Sequence, residues 1–181
     1  MGVASLTASL RFDTGAAALS SLAAAQLAVY AAMQIPAGMA LDRFGARKLI
    51  IFGSVVTGFG NLLVALSSSL PIAVTGRMIV GFGDAFVFIS MIRLINGWAS
   101  GPRATRFTQL FANLGQLGQV FSAIPFAYLL GAAGWTPAFT IAASLAFVAA
   151  ALGIAFLRDE PGALRQVSRI PEVLRQFREN I

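Results

Sequence analysis

The sequence predicts an all-α membrane protein, a polytopic bundle of transmembrane helices. Three observations predict it. Of 181 residues, 57% are hydrophobic and 11% are charged, less than half of the roughly 25% charge of a soluble domain. Too few polar side chains remain to cover a water-facing surface. Five segments are long and apolar enough to cross a hydrocarbon core of about 30 Å, which takes about 20 residues of helix. Finally, the basic residues gather on one side of those segments.

The five full spans are 19–41, 48–67, 71–97, 107–130 and 137–157, and a first segment, 1–10, is apolar but too short to span. Short connections between long helices imply antiparallel neighbours in a bundle. The domain organisation that follows is a helix bundle over 1–157, with 1–10 as part of a first helix, and a linker over 158–181. No signal peptide is expected at the N-terminus.

The span 19–41 carries Gln26, Tyr30 and Gln34 at spacing four, and it runs into the box GMALDRFGARK at 38–48. The span 48–67 carries Gly53, Gly58 and Gly60, small residues of the kind that let helix backbones approach in lipid. The span 71–97 has Gly81 and Gly83 together with three ionisable groups, Arg77, Asp84 and Arg93. Charges inside a span cost roughly 2.5–3.5 kcal/mol each on insertion scales, so they face a cavity or a partner. Arg77 and Asp84 are seven residues apart and share one helix face, about 10.5 Å apart along the axis. Arg77 leans away from Asp84, because helical side chains point toward the N-terminus. Arg93 faces the other side and reads as snorkelling to lipid phosphate, with anion recognition as the alternative.

In the span 107–130, Gln109, Asn113, Gln116 and Gln119 form a polar stripe at spacings of four, three and three, beside Gly115 and Gly118. Such a stripe faces a pore or a neighbouring helix. Beyond 157, Leu164, Val167, Ile170, Val173, Leu174 and Phe177 recur at near-helical spacing among arginines. That pattern suits an amphipathic helix on the inner membrane surface, held by anionic lipid, or else a disordered linker.

Charge placement fixes an expected orientation. Arg43, Arg47, Lys48, Arg103, Arg106, Arg158, Arg165, Arg169, Arg175 and Arg178 all fall on one side of the spans, and Arg11 falls on the other. Positive loops stay cytoplasmic, so the box at 42–48 and the C-terminus are expected inside. The net charge of +6 is then an orientation signal, and no nucleic-acid partner is needed. The chain has no cysteine and no histidine. Disulfides, thiolate metal sites and the usual near-neutral proton carrier are excluded, and no metal or cofactor is expected. Membrane enzymes need clustered acids, a histidine, or a nucleophile with its base, so the chain does not read as an enzyme.

The box resembles the signature loop of the major facilitator superfamily of secondary transporters, G-x-x-x-D-R-x-G-x-R-K, in Gly38, Asp42, Arg43, Gly45, Arg47 and Lys48. A second family signature, R-x-x-x-G-x-G, is matched by Arg77, Gly81 and Gly83. The resemblance covers essentially the whole chain and implies the N-terminal six-helix half of such a transporter, truncated in its first helix. It implies alternating access by rocking of two halves, a plasma-membrane (inner-membrane) location and a small-molecule substrate. It also implies a missing C-terminal half, or a second copy, as partner. The box would latch the halves at the inner gate, and Arg77 would belong to proton coupling. Asp84 departs from the small residue often found at its position. With no histidine in the chain, Asp84 is the acid in the spans placed to carry a proton. Gln26, Tyr30, Asn113, Gln116 and Gln119 are candidates to line the substrate path. The box's basic residues are expected to pair with Asp42 or with membrane lipids. LGQLGQVFSAIP lacks the paired features of the drug-antiporter motif, so an antiporter is not indicated. A non-transporting fragment or a small accessory bundle is the alternative.

Overall fold

A backbone crossing hydrocarbon has no water to receive its N–H and C=O groups, so it must close its own hydrogen bonds. Every element of the computed structural model, which describes residues 12, 16–99 and 101–158, is helical. These elements are α1 (Ala16–Ala32), α2 (Gln34–Phe44), α3 (Ala46–Leu66), α4 (Leu70–Trp98), α5 (Pro102–Ala133) and α6 (Trp135–Phe156). The segment 1–10 and the tail from 159 onward lie outside the described residues.

The expected spans are present with two corrections. The first full span is not one continuous helix: residues 20–32 and 34–44 meet at a 48° bend. Pro36 explains the break. It has no N–H to give to the carbonyl of Ala32, and its ring crowds that carbonyl. Below the break, the amide of Gln34 reaches back to the Tyr30 carbonyl at 3.4 Å. The second correction concerns α5. It is 32 residues long, but among the described residues α3, α4 and α6 are the single helices both long and apolar enough to cross a membrane, with α1 and α2 qualifying only as a bent pair. The polar stripe dilutes α5 below that mark.

The joints are tighter than the sequence suggested. Between α2 and α3 stands Gly45 alone, at φ 82°, and between α5 and α6 stands Gly134 alone, at φ 86°. A side chain at either φ is strained, so these glycines allow an abrupt reversal.

Helices α3 and α4 lie antiparallel at the centre, and glycines bring them together. A Cβ on Gly53 would stand 2.6 Å from the Gly83 carbonyl, and one on Gly60 would stand 3.0 Å from the Gly76 carbonyl. Gly115 and Gly118 behave differently, since a Cβ on either would meet nothing within 4 Å. Helix α6 packs along the far side of α3, where Gly58 receives the ring of Phe147. Helices α1 and α2 run beside α4 in the same direction, with Gln26 next to Asp84, Tyr30 next to Phe88 and Asp42 next to Arg93.

The core has a cluster at each end. At the box end, Ala37, Leu41, Ala46, Leu49 and Phe86 pack together. At the opposite end are Val64, Ala65, Leu130, Trp135, Ala138 and Phe139. There the Trp135 indole N–H donates to the Val64 carbonyl at 2.8 Å, and the Thr136 hydroxyl donates to Ala65 at 3.0 Å. The start of α6 thereby adds donors to carbonyls at the end of α3, where Ser67 also donates to Val64. Helix α5 sits at the periphery, with Leu130 its one buried residue.

Candidate functional site: a polar centre between three helices

Arg77 and Asp84 both rise from α4, and the helix alone does not join them. The join comes from α1. Gln26 Oε1 accepts from Arg77 Nη2, and Gln26 Nε2 donates to Asp84 Oδ2 at 3.1 Å. From the other side, α3 supplies Thr57, whose hydroxyl donates to Asp84 Oδ1 at 3.1 Å. The carboxylate therefore has a donor on each oxygen, from two different helices. All these contacts are partly buried, and the Arg77 Nε is buried with no hydrogen-bond partner.

Glycines make this meeting possible. A Cβ on Gly81 would collide with the backbone carbonyl of Gln26, and one on Gly83 would collide with the Thr57 hydroxyl. The two glycines of R-x-x-x-G-x-G thus set how closely α1 and α3 approach α4, at the level of the acid. Gly38 is less constrained, since a Cβ there would meet Ile89 at an ordinary 3.8 Å. Toward the box end, the ring of Tyr30 meets Phe88, and Phe88 meets Phe111 of α5.

The spacing puts Arg77 and Asp84 on one helix face, and Gln26 of α1 bridges the two. In the sequence Gln26 stands out only as part of a stripe with Tyr30. Thr57 was missed. A lone threonine in an apolar helix carries no periodic signal, and its glycine neighbourhood acquires meaning only once the α3–α4 register is known.

At the box end, Asp42 was expected to pair with its basic neighbours, and Arg93 with lipid. They pair with each other instead, at 3.5 Å and half-exposed. Below the 48° bend, the last turn of α2 carries Asp42 to Arg93 of α4. Arg47 Nη2 donates to the Ile154 carbonyl at 2.8 Å, in the last turn of α6, where an arginine satisfies an open carbonyl. Arg43 lies over the ring of Phe44, 5.3 Å from its centroid, and Lys48 is exposed. Asn113, Gln116 and Gln119 are exposed along α5.

Two signatures, a bend-separated helix pair and a charged cluster inside an apolar bundle now stand together, and comparison with known proteins agrees with them. The family model of the Major Facilitator Superfamily matches residues 1–180. The chain belongs to the major facilitator superfamily. It is accordingly a multi-pass membrane protein of a transporter family whose members bind small-molecule substrates. It is 31% identical over 135 residues to the probable sulfoacetate transporter SauU of Cupriavidus necator, covering 73% of this chain and 31% of that protein. To the probable galactarate/D-glucarate transporter GarP of Escherichia coli it is 29% identical over 140 residues, covering 72% and 31%. A multidrug resistance protein B homolog of Mycobacterium tuberculosis is 30% identical over 128 residues, covering 70% and 24%. This superfamily chain spans about a third of the length of the first two relatives.

Proposed function

We propose that this chain forms the N-terminal part of a secondary transporter that carries a small organic anion together with protons, by alternating access, across the plasma membrane. The observation that carries the reading is the Arg77–Gln26–Asp84–Thr57 centre. A buried arginine with spare donors suits a carboxylate or sulfonate, and the names of two relatives refer to such anions. A carboxylate within a span, flanked by donors that rotate, suits a group that is loaded and unloaded with a proton. The exposed face of α5, with Asn113, Gln116 and Gln119, is where a second bundle would close the path, supplied by the rest of the transporter or by a second copy. The box acts as an inner gate: Asp42 ties α2 to α4 through Arg93, and Arg47 ties α3 to the end of α6. Loop 42–48 and the C-terminus face the cytoplasm, where the basic residues meet anionic headgroups.

The test is uptake by the whole transporter in proteoliposomes, with sulfoacetate and galactarate as probes. An inward proton gradient is expected to drive accumulation, and a protonophore to collapse it. Uptake that ignores the proton gradient contradicts the coupling. Failure of every anionic probe, alongside uptake of neutral solutes, contradicts the substrate class.

A further inference from the structure

The amide of Gln26 is inserted between two charges that α4 holds too far apart to meet, and its orientation is dictated by chemistry. An arginine side chain has donors only, so the amide oxygen must face Arg77. The amide nitrogen must then face Asp84, where it needs an acceptor. Gln26 Oε1 faces Arg77 and Nε2 faces Asp84 as this requires. A carboxylate gives that nitrogen a full acceptor, while a protonated acid has become a donor at one oxygen. What Asp84 carries therefore bears on how firmly Gln26 holds Arg77.

We infer that Gln26 is a positioning residue that transmits the protonation state of Asp84 to Arg77, holding the guanidinium while the acid is ionised and releasing it when the acid takes a proton. The released donors are then free for the anion, so that proton and anion load together. This rests on Asp84 as the proton carrier. Helix packing singles out this contact, because the backbone of Gln26 lies directly on Gly81, one helical turn from Arg77 and three residues from Asp84. The point where α1 is pinned to α4 is the point where the bridge stands.

Other groups around Asp84 do not replace the bridge. Helix α3 contributes the Thr57 hydroxyl, which donates to Oδ1, so the proton goes to Oδ2, the oxygen that faces Gln26. Helix α1 also contributes Tyr30, within electrostatic reach of Asp84. The charged pair from α2 and the far end of α4, Asp42 and Arg93, is engaged with itself. On α5, Arg103 and Arg106 are exposed near its first turn.

The experiment reads the chain itself, in phospholipid nanodiscs, with arginine side chains labelled with 15N and the Arg77 signals assigned through Arg77→Lys. In the unmodified chain, the Arg77 guanidinium signals are expected to change across a pH titration, and Asp84→Asn to abolish the change. Gln26→Met keeps length and removes both hydrogen bonds, and it is expected to reduce the amplitude of the change at least about threefold. Gln26→Glu keeps an acceptor for Arg77 while removing the donor to Asp84, and guards against misfolding of the methionine variant. Its Arg77 signals are expected to stay in the paired position at every pH at which Asp84 titrates. An Arg77 response of full amplitude in both Gln26 variants overturns the inference. So does an unmodified chain in which Arg77 ignores pH while Asp84 titrates, followed by its infrared carboxyl band. A whole transporter with no proton-driven uptake would defeat the transport reading and leave these signals as they are.

Discussion

Gly83 and Gly115 are both helical glycines, and the structure gives them opposite worth. A side chain on Gly83 would press on Thr57 and on the Gly53 carbonyl of the neighbouring helix, while one on Gly115 meets open space. Gly83→Ala is expected to destabilise the bundle by about 1–3 kcal/mol through overpacking. Gly115→Ala is expected to be neutral or stabilising by up to about 1 kcal/mol, from helix propensity. Thermal unfolding in detergent measures both, and equal effects would contradict the packing described. The same contrast shows what one chain of letters conceals. Arg77 and Asp84 announce themselves because charge is rare in a span. Thr57 does not, because its role comes from a helix register that no local pattern encodes. Gly115 and Gly118 resemble packing glycines in the sequence, yet no neighbouring helix approaches them among the described residues.

At the scale of elements, the helices were legible to within about five residues, since long apolar runs mark them, although α5 falls short of the apolarity of a span. The 48° bend was not. Pro36 was in plain view, but apolar length alone treats a broken helix and a straight one alike. Beyond the bend, at the box, Asp42 meets Arg93. Pro36→Ala restores the missing N–H, and it is expected to straighten the α1–α2 pair. The chain has no native cysteine, so spin labels at cysteines placed at 20 and 44 report alone. Their separation is expected to grow by about 3 Å, from roughly 1.5 Å of rise per residue. An unchanged separation would place the cause of the bend in tertiary packing. At the other end, Trp135→Phe removes one donor to the Val64 carbonyl and leaves that carbonyl to the Ser67 hydroxyl and N–H. The expected cost is about 0.5–1.5 kcal/mol, read from the unfolding temperature.

For the whole molecule, the bundle is a layer of helices built around α3 and α4, with α5 carrying its polar stripe on an uncovered face. The family was legible because the signature loop is short, charged and placed between spans. The substrate was not, because fold alone does not carry specificity, and this chain spans about a third of the length of its first two relatives. Single cysteines at 48 and 158 are expected to react with a membrane-impermeant thiol reagent in inside-out vesicles and to be protected in intact cells. The reverse pattern would invert the topology. The most direct measurement is the comparison of Asp84→Asn with the unmodified whole transporter in proteoliposomes, under a pH gradient and under solute counterflow. The expected result is loss of gradient-driven accumulation, by at least about tenfold, while counterflow persists and the protein remains folded. Accumulation driven as well by the asparagine variant as by the unmodified protein would contradict Asp84 as the coupling acid.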